Sequence, residues 1–553
     1  VFKPMLEALK RIPAAKVAGG VAFVSTLLII YLHVVFGLHA GALWRDEVNS
    51  LEIATMRTFT EMWSNLAFDS FPALFFILLR AVAGVPATAS DAVLRTLGVS
   101  VGLLALGVIW LNSRWLRLGF PLLSLTLIGL NPMIIRYGDS IRAYGLGIVL
   151  MLLVLGAMWR LVERWTPARA AIATASALLS VQCLYYNSIL LFAVCLGAAA
   201  VTLRRRAWKE TAGILLIGAI SATSLLPYLS TIRRVQLWSF IWKGPFTMPL
   251  LWQKLSETLG APILAAVWVW VALFVLAILG GIVALWRGWG GLEGTPNRER
   301  VLFALVTLLI GTAGYVGFLK VLSYMTQPWY YVVLAAFAVT CIEMILASIP
   351  KAQWLLVTRT VIALVFTGAV FFLTLQAVQA RQTNIDAVAA RIESLAGPDD
   401  LILINTWNFG ISFRRYYHGP ASYQTIPPME DIRSHRVDIL KRQMMSPAPM
   451  TLVLQRMDET LRRGHTIWLL GTLDFVPPGR EPLVIPPGFD GPNGWVSGNF
   501  YSAWAQQAGF LVQSKSLQFE RIRVPMAQSV SHYEDLPLSA IRGWRGAADT
   551  ARQ

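Results

Sequence analysis

The chain has 553 residues, 56% of them hydrophobic and 14% charged, where a soluble domain carries roughly 25% charge. Its 47 Lys and Arg against 30 Asp and Glu give a net charge of +17, yet the apolar content and 21 Trp exclude a nucleic-acid partner, intrinsic disorder and a collagen-like chain and point to a bilayer. The three cysteines, Cys183, Cys195 and Cys341, all sit in apolar stretches, which excludes a disulfide framework and a cysteine-based metal site.

In chain order, apolar runs able to cross about 30 Å of hydrocarbon as a helix fall near 15–38, 92–112, 119–136, 142–162, 168–184, 187–203, 210–230, 261–286, 300–319, 328–348 and 354–378. The first is read as a span and not a signal peptide, because ten more follow it. Between the first two, Phe71-Pro72-Ala73-Leu74-Phe75-Phe76-Ile77-Leu78-Leu79 is very apolar but short, which suits a re-entrant or surface-lying helix. With eleven spans and a cytoplasmic N-terminus, 18 of the 29 basic residues before position 381 fall in inner loops, as the positive-inside rule requires. A twelfth span at 71–84 would put Arg204-Arg205-Arg206 outside. Residues 381–553 hold 18 basic and 16 acidic residues, so the excess charge belongs to the membrane part.

The expected fold class is therefore an α-helical polytopic membrane protein of about eleven transmembrane helices with a C-terminal α/β domain. The expected domains are 1–380, whose first outer loop covers 39–91, and 381–553 on the extracytoplasmic side. In the latter, Leu401-Ile402-Leu403-Ile404-Asn405 and His465 to Gly471 read as strands, Phe409 to Tyr417 and Met450 to Arg463 as helices, and Leu511 to Pro525 as an antiparallel pair. Its histidines, His418, His435, His465 and His532, include no pair spaced i, i+4 on one helix face, so this domain is expected to shape acceptor access more than to carry chemistry.

The topology puts two acidic segments on one outer face. In Leu43-Trp44-Arg45-Asp46-Glu47-Val48-Asn49-Ser50-Leu51-Glu52-Ile53-Ala54 the apolar positions 48, 51, 54 and 56 predict an interfacial amphipathic helix. Asp46 and Glu47 at its first turn either cap its amides or carry chemistry. In Asn131-Pro132-Met133-Ile134-Ile135-Arg136-Tyr137-Gly138-Asp139-Ser140-Ile141-Arg142-Ala143-Tyr144 the groups Arg136, Asp139 and Arg142 meet the membrane boundary, as an interfacial ion pair or as a functional site. Two acids from separate segments suit transfer of a sugar to a hydroxyl, where a carboxylate takes the acceptor's proton and cations stabilise the departing phosphate.

These segments resemble the GT-C superfamily of polytopic glycosyltransferases, in particular the branch of protein O-mannosyltransferases and lipid A aminoarabinose or galacturonic acid transferases. Trp44-Arg45-Asp46-Glu47 looks like that branch's first-loop acidic motif, and Asp69-Ser70-Phe71-Pro72-Ala73-Leu74-Phe75-Phe76 is similar to its His-Pro-Pro-Leu-aromatic stretch, without the His and second Pro. Arg136 to Tyr144 resembles the second-loop motif, with Asp139 where the family often has Glu. Gln327-Pro328-Trp329-Tyr330-Tyr331-Val332-Val333-Leu334 resembles its Arg-Tyr-Leu-Leu-Pro segment without the Arg, and Lys320 is the substitute cation.

The resemblance implies an inverting transferase that takes a sugar from a polyprenyl-phosphate donor to a hydroxyl of an extracytoplasmic lipid, glycan or protein. It implies Asp46 as the catalytic base, with the further catalytic-site residues Glu47 and Asp139 positioning the acceptor or binding a metal. Arg142, Tyr144, Lys320 and Arg136 would bind the donor phosphate, and Arg45, Asp69, Tyr330 and Tyr331 would line the pocket. Asp46 and Asp139 are the candidate ligands for a divalent metal, Mg2+ or Mn2+, which some relatives use and others do not. The partners implied are membrane lipids, the donor and the acceptor, in a bacterial inner membrane with a periplasmic active site. A transporter or flippase of polyprenyl-linked glycans, and a non-catalytic assembly protein, are the alternative readings. The chain has no Walker A sequence.

Overall fold

The computed structural model describes residues 13–242, 246–287, 296–323, 326–349, 353–489 and 496–546. The protein is mostly helical, with a small C-terminal sheet. Among the described residues nine helices are long and apolar enough to cross a membrane. Ala143–Glu163 and Pro328–Ser348 lie at the centre of the bundle, 83% and 89% of their apolar windows being buried, whereas Ala14–His39 and Asp91–Trp115 are 39% buried and lie at its periphery. The peripheral spans turn Phe23, Leu27, Tyr31 and Leu104 outward, as a lipid-facing surface does.

Two of the eleven expected spans do not take that form. Residues 119–136 form two short helices, Leu122–Gly129 and Pro132–Gly138. Leu130 ends the first and Asn131 starts the second, the Asn131 side chain accepting from Met133 N and Ile134 N at 2.9 and 3.1 Å, and Pro132 suits a first turn because it lacks an amide that would otherwise go unpaired. The other is Pro167–Cys183, a helix of 17 residues.

The short Leu122–Gly129 helix takes its N-terminal cap from a distant span. Glu343 accepts from Leu123 N and Ser124 N, both at 2.9 Å, and pairs with Arg359 at 2.8 Å. Free helix-start amides favour a carboxylate, and the arginine offsets its burial.

The sheet has the order β2-β1-β3-β5-β4. Here β1 is Leu401–Asn405, β2 Ser422–Thr425, β3 Ile467–Gly471, β4 Ser516–Ile522 and β5 Leu538–Trp544. β1 runs parallel to β2 and β3, and β5 runs antiparallel to β3 and β4. β1 and β3 are buried throughout and alternate between two faces, as strands must. Leu401, Leu403, Ile467 and Leu469 join the core that continues into the membrane bundle. Ile402, Ile404, Trp468 and Leu470 pack instead with Ile385, Val388 and Phe413. The antiparallel pair expected within 511–525 is not local. The helix Ser497–Lys515 takes up its first third, and β4 pairs with β5 beyond an intervening loop.

Polar ties seat this region on the first loop. Arg415 pairs with Asp91 at 2.6 Å, and the Tyr416 hydroxyl donates to Asp91 at 2.5 Å while accepting from Leu43 N at 2.7 Å. Gln382 N donates to Ala40 O at 2.8 Å.

Candidate active site

The interfacial helix predicted around Asp46 is Arg45–Ala54; the helix Phe59–Asn65 and a short 3-10 turn at Leu66–Phe68 separate it from the 11-residue helix Ala73–Ala83. The two acids at its start have different surroundings. Glu47 is fully buried and its oxygens are taken. Arg95 donates to them at 2.5 and 2.9 Å, Trp44 N at 3.2 Å and Ile141 N at 2.9 Å. That network holds the first loop, the Asp91–Trp115 helix and the 138–142 turn together, which is structural work and leaves the carboxylate no free lone pair toward a substrate.

Asp46 is the reverse case. Its side chain is 14% exposed, with Arg45 Nε and His435 Nε2 each 3.6 Å from Oδ1. Among the described residues no hydrogen bond reaches its carboxylate. Burial pushes its pKa up, but Arg142, Arg45 and His435 outweigh this and hold it below the usual 3.8, so Asp46 is ionised at neutral pH.

Asp139 turns inward. It is fully buried and Oδ2 meets His33 Nδ1 of the first span at 2.7 Å. The close approach needs two glycines of the next span, since a Cβ at Gly98 would lie 1.9 Å from Asp139 O and one at Gly102 2.0 Å from Oδ1. Asp46 and Asp139 share no neighbours that would make a ligand set, and among the described residues no group of three or more His, Cys, Asp or Glu could hold a metal ion. The expected metal pair is thus not part of a larger cluster of such groups among the described residues.

Arg136 serves structure as well. It donates to Gln382 Oε1 at 2.7 Å, Ala377 O at 2.8 Å and Ala380 O at 3.3 Å, clamping the end of the Gln353–Val378 span. Arg142 stands beside Asp46. Its Nη1 donates to Asp69 Oδ1, to Ser50 Oγ at 2.9 Å and to Asp46 O at 3.0 Å. Its guanidinium also lies 4.7 Å over the Phe71 ring and 6.0 Å over Tyr144. Among the described residues only Nη1 of Arg142 is engaged.

The aromatic wall continues from Tyr144 to Tyr330, whose ring centroids are 6.3 Å apart. Tyr331 is buried, its hydroxyl 2.9 Å from Thr326 Oγ1, and takes no part in the cleft. Lys320 is exposed at the end of its helix. Trp329 links the two sides of the site, stacking edge-on with Trp44 at 5.6 Å and with Tyr533 at 5.3 Å.

The C-terminal region brings two residues that the motifs did not reveal. Arg45 donates through Nη1 to Glu534 Oε2 at 3.0 Å, and its own amide points to the same carboxylate at 3.2 Å. Burial pushes Glu534 up to about 7, against the pull of Arg45. His435 is seated by its backbone amide, which donates to Asn49 Oδ1 at 2.8 Å across 386 residues of chain. Burial, with Arg45 and Arg142 acting against Asp46, pushes its imidazole down to about 4, so it is neutral at pH 7. No local spacing signals either residue, because their partners lie hundreds of positions away.

The result is a site with one partly exposed, ionised carboxylate, two arginines, a neutral imidazole and an aromatic wall. It can accept a proton and stabilise a developing anion. No protein-family model matches the chain. No curated protein matches it either. Among solved structures it is similar to the Archaeoglobus fulgidus oligosaccharyltransferase in complex with Zn and sulfate, at 12% identity over 81% of this chain and 67% of that one, with a TM-score of 0.47. It is also similar to ArnT from Cupriavidus metallidurans bound to undecaprenyl phosphate, at 14% identity over 80% of this chain and 92% of that one, with a TM-score of 0.45.

Proposed function

We propose that the chain is a GT-C-type membrane glycosyltransferase that moves a sugar from a polyprenyl-phosphate donor to a hydroxyl of an extracytoplasmic lipid, glycan or protein. The observation that carries this reading is Asp46, an ionised carboxylate that is 14% exposed and, among the described residues, free of hydrogen bonds, within the motif that resembles the family's first-loop acid. A buried acid that had only to cap a helix would look like Glu47.

In the proposed step the acceptor oxygen attacks the anomeric carbon from the face opposite the phosphate, inverting it. The bond from that carbon to the phosphate oxygen breaks and leaves its electron pair on the phosphate. The acceptor's proton passes to Asp46. Arg142, through its unengaged nitrogens, stabilises the departing phosphate together with Tyr144 and Lys320, and Arg45, Asp69 and Tyr330 shape the cleft. Glu47, Asp139, Arg136 and Tyr331 are assigned to structure. The proposed setting is a bacterial inner membrane with a cytoplasmic N-terminus. Residues 381–553 form a periplasmic domain over the site.

The test is transfer from synthetic polyprenyl-phosphate sugars to an envelope extract by the full-length protein in nanodiscs. Activity in the wild type and its loss in Asp46→Asn, at equal folded protein, is the expected result. Undiminished transfer by Asp46→Asn would overturn the assignment of the base.

A further inference from the structure

The segment that carries His435 is held in place on both sides. Its amide is bound to Asn49 Oδ1, on the helix that carries Asp46. The adjacent Arg436 lies 5.2 Å over the Phe68 ring and pairs with Asp431 at 2.9 Å and Asp438 at 2.7 Å. The imidazole edge is 6.1 Å from Trp407 by ring centroids. Its Nε2 is shut off from solvent and has no hydrogen-bond partner among the described residues, while Asp46 Oδ1 stands 3.6 Å away.

That separation is too long for a hydrogen bond, and an oxygen about 2.8 Å from each atom would bridge them from one side of the line that joins them. An unpaired buried donor is disfavoured, so an oxygen that reaches both atoms gains from both sides. We propose that His435 Nε2–H and the Asp46 carboxylate together hold the acceptor hydroxyl, the imidazole donating to one lone pair of its oxygen and the carboxylate accepting its proton. This deepens the transferase reading above and rests on it.

The charged groups facing the imidazole are Asp46, Arg45 and Arg142. The two cations, with burial, keep the ring neutral, so it offers one N–H and leaves Asp46 as the acceptor of the proton. The second lone pair of the hydroxyl oxygen stays free to attack. The C-terminal region thereby supplies an acceptor-binding residue to a site whose donor side is built from the membrane part.

The experiment compares wild type, His435→Ala and His435→Gln, all full-length and matched for melting temperature. It uses a synthetic polyprenyl-phosphate hexose and an envelope extract of varied concentration. His435→Ala is expected to raise the half-saturating extract concentration about tenfold with a smaller change in maximal rate and unchanged undecaprenyl-phosphate binding. His435→Gln, which keeps an N–H donor, is expected to recover much of the loss. An unchanged half-saturating concentration in His435→Ala overturns the inference.

A wild type that transfers nothing sinks the transferase reading alone. The inference is then read from the 15N signal of His435 during titration with methyl hexosides as hydroxyl probes. A saturable shift that is absent in Asp46→Ala supports it, and no shift overturns it.

Discussion

Arg95 closes on Glu47 with two hydrogen bonds, of 2.5 and 2.9 Å, where neither side chain meets solvent. The same arginine donates to Gly41 O at 3.2 Å and Ala42 O at 2.8 Å, and the same carboxylate receives Ile141 N. One buried pair thus joins the end of the first span, the interfacial helix and the turn before the Ala143–Glu163 span.

Removing one partner of such a pair leaves the other charge buried alone, which costs about 3–5 kcal/mol. Glu47→Ala should therefore lower the melting temperature sharply, and what activity is lost should follow the amount of folded protein. A folded, inactive Glu47→Ala would instead place Glu47 in the chemistry.

Asp46→Asn should behave in the opposite way. No hydrogen bond among the described residues depends on its charge, but the attraction of Arg142 and Arg45 is lost, so stability should fall by no more than about 1 kcal/mol, while transfer falls about 10²–10⁴-fold. Asp46 titrates below 3.8 and His435 near 4. The wild-type rate should therefore hold its base form from neutral pH down to about 4–5. A loss of rate with a midpoint near 6 would contradict this.

Glu534 links pH to stability. Its pKa rises from 4.5 to about 7 on folding because burial disfavours the charge. Between those values the folded state binds a proton that the unfolded state has released. The contribution is full below about 4.5 and is lost as pH rises through about 7, on the order of 3 kcal/mol. Melting temperatures of wild type and Glu534→Gln, taken from pH 4.5 to 8, should show this slope in the first and not in the second.

Gly102 and Gly107 lie on one helix but should respond differently to alanine. A Cβ at Gly102 would meet Asp139 Oδ1 at 2.0 Å and His33 Nδ1 at 2.6 Å, whereas at Gly107 nothing lies within 4 Å. Gly102→Ala should be destabilised by about 1–3 kcal/mol and Gly107→Ala should be neutral or slightly more stable. Equal melting temperatures for the two variants would remove the close approach of Asp139 to this helix.

Hydropathy alone located the long spans, because a helix satisfies its own backbone and only its apolar length matters in a bilayer. The break at Asn131-Pro132 was visible in the residues too, yet the run around it is so apolar that it reads as one span. The strand Ser422–Thr425 went unseen because it is a polar edge, exposed to partly exposed over three of its four residues. The pairing of β4 with β5 is long-range, so the local pattern at 511–525 resembles an antiparallel pair of its own.

The amino-acid sequence by itself determined a polytopic membrane chain with a C-terminal α/β region and with acids placed at span ends. Those properties depend on composition and on contacts between near neighbours. Only the tertiary structure decided which acid is free. Asp46 and Glu47 are adjacent and chemically alike, but Glu47 meets Arg95 and Ile141 N while Asp46 meets an imidazole from the far end of the chain. A carboxylate's role depends on the groups that surround it and on its exposure, and these come from residues that sequence spacing does not bring together.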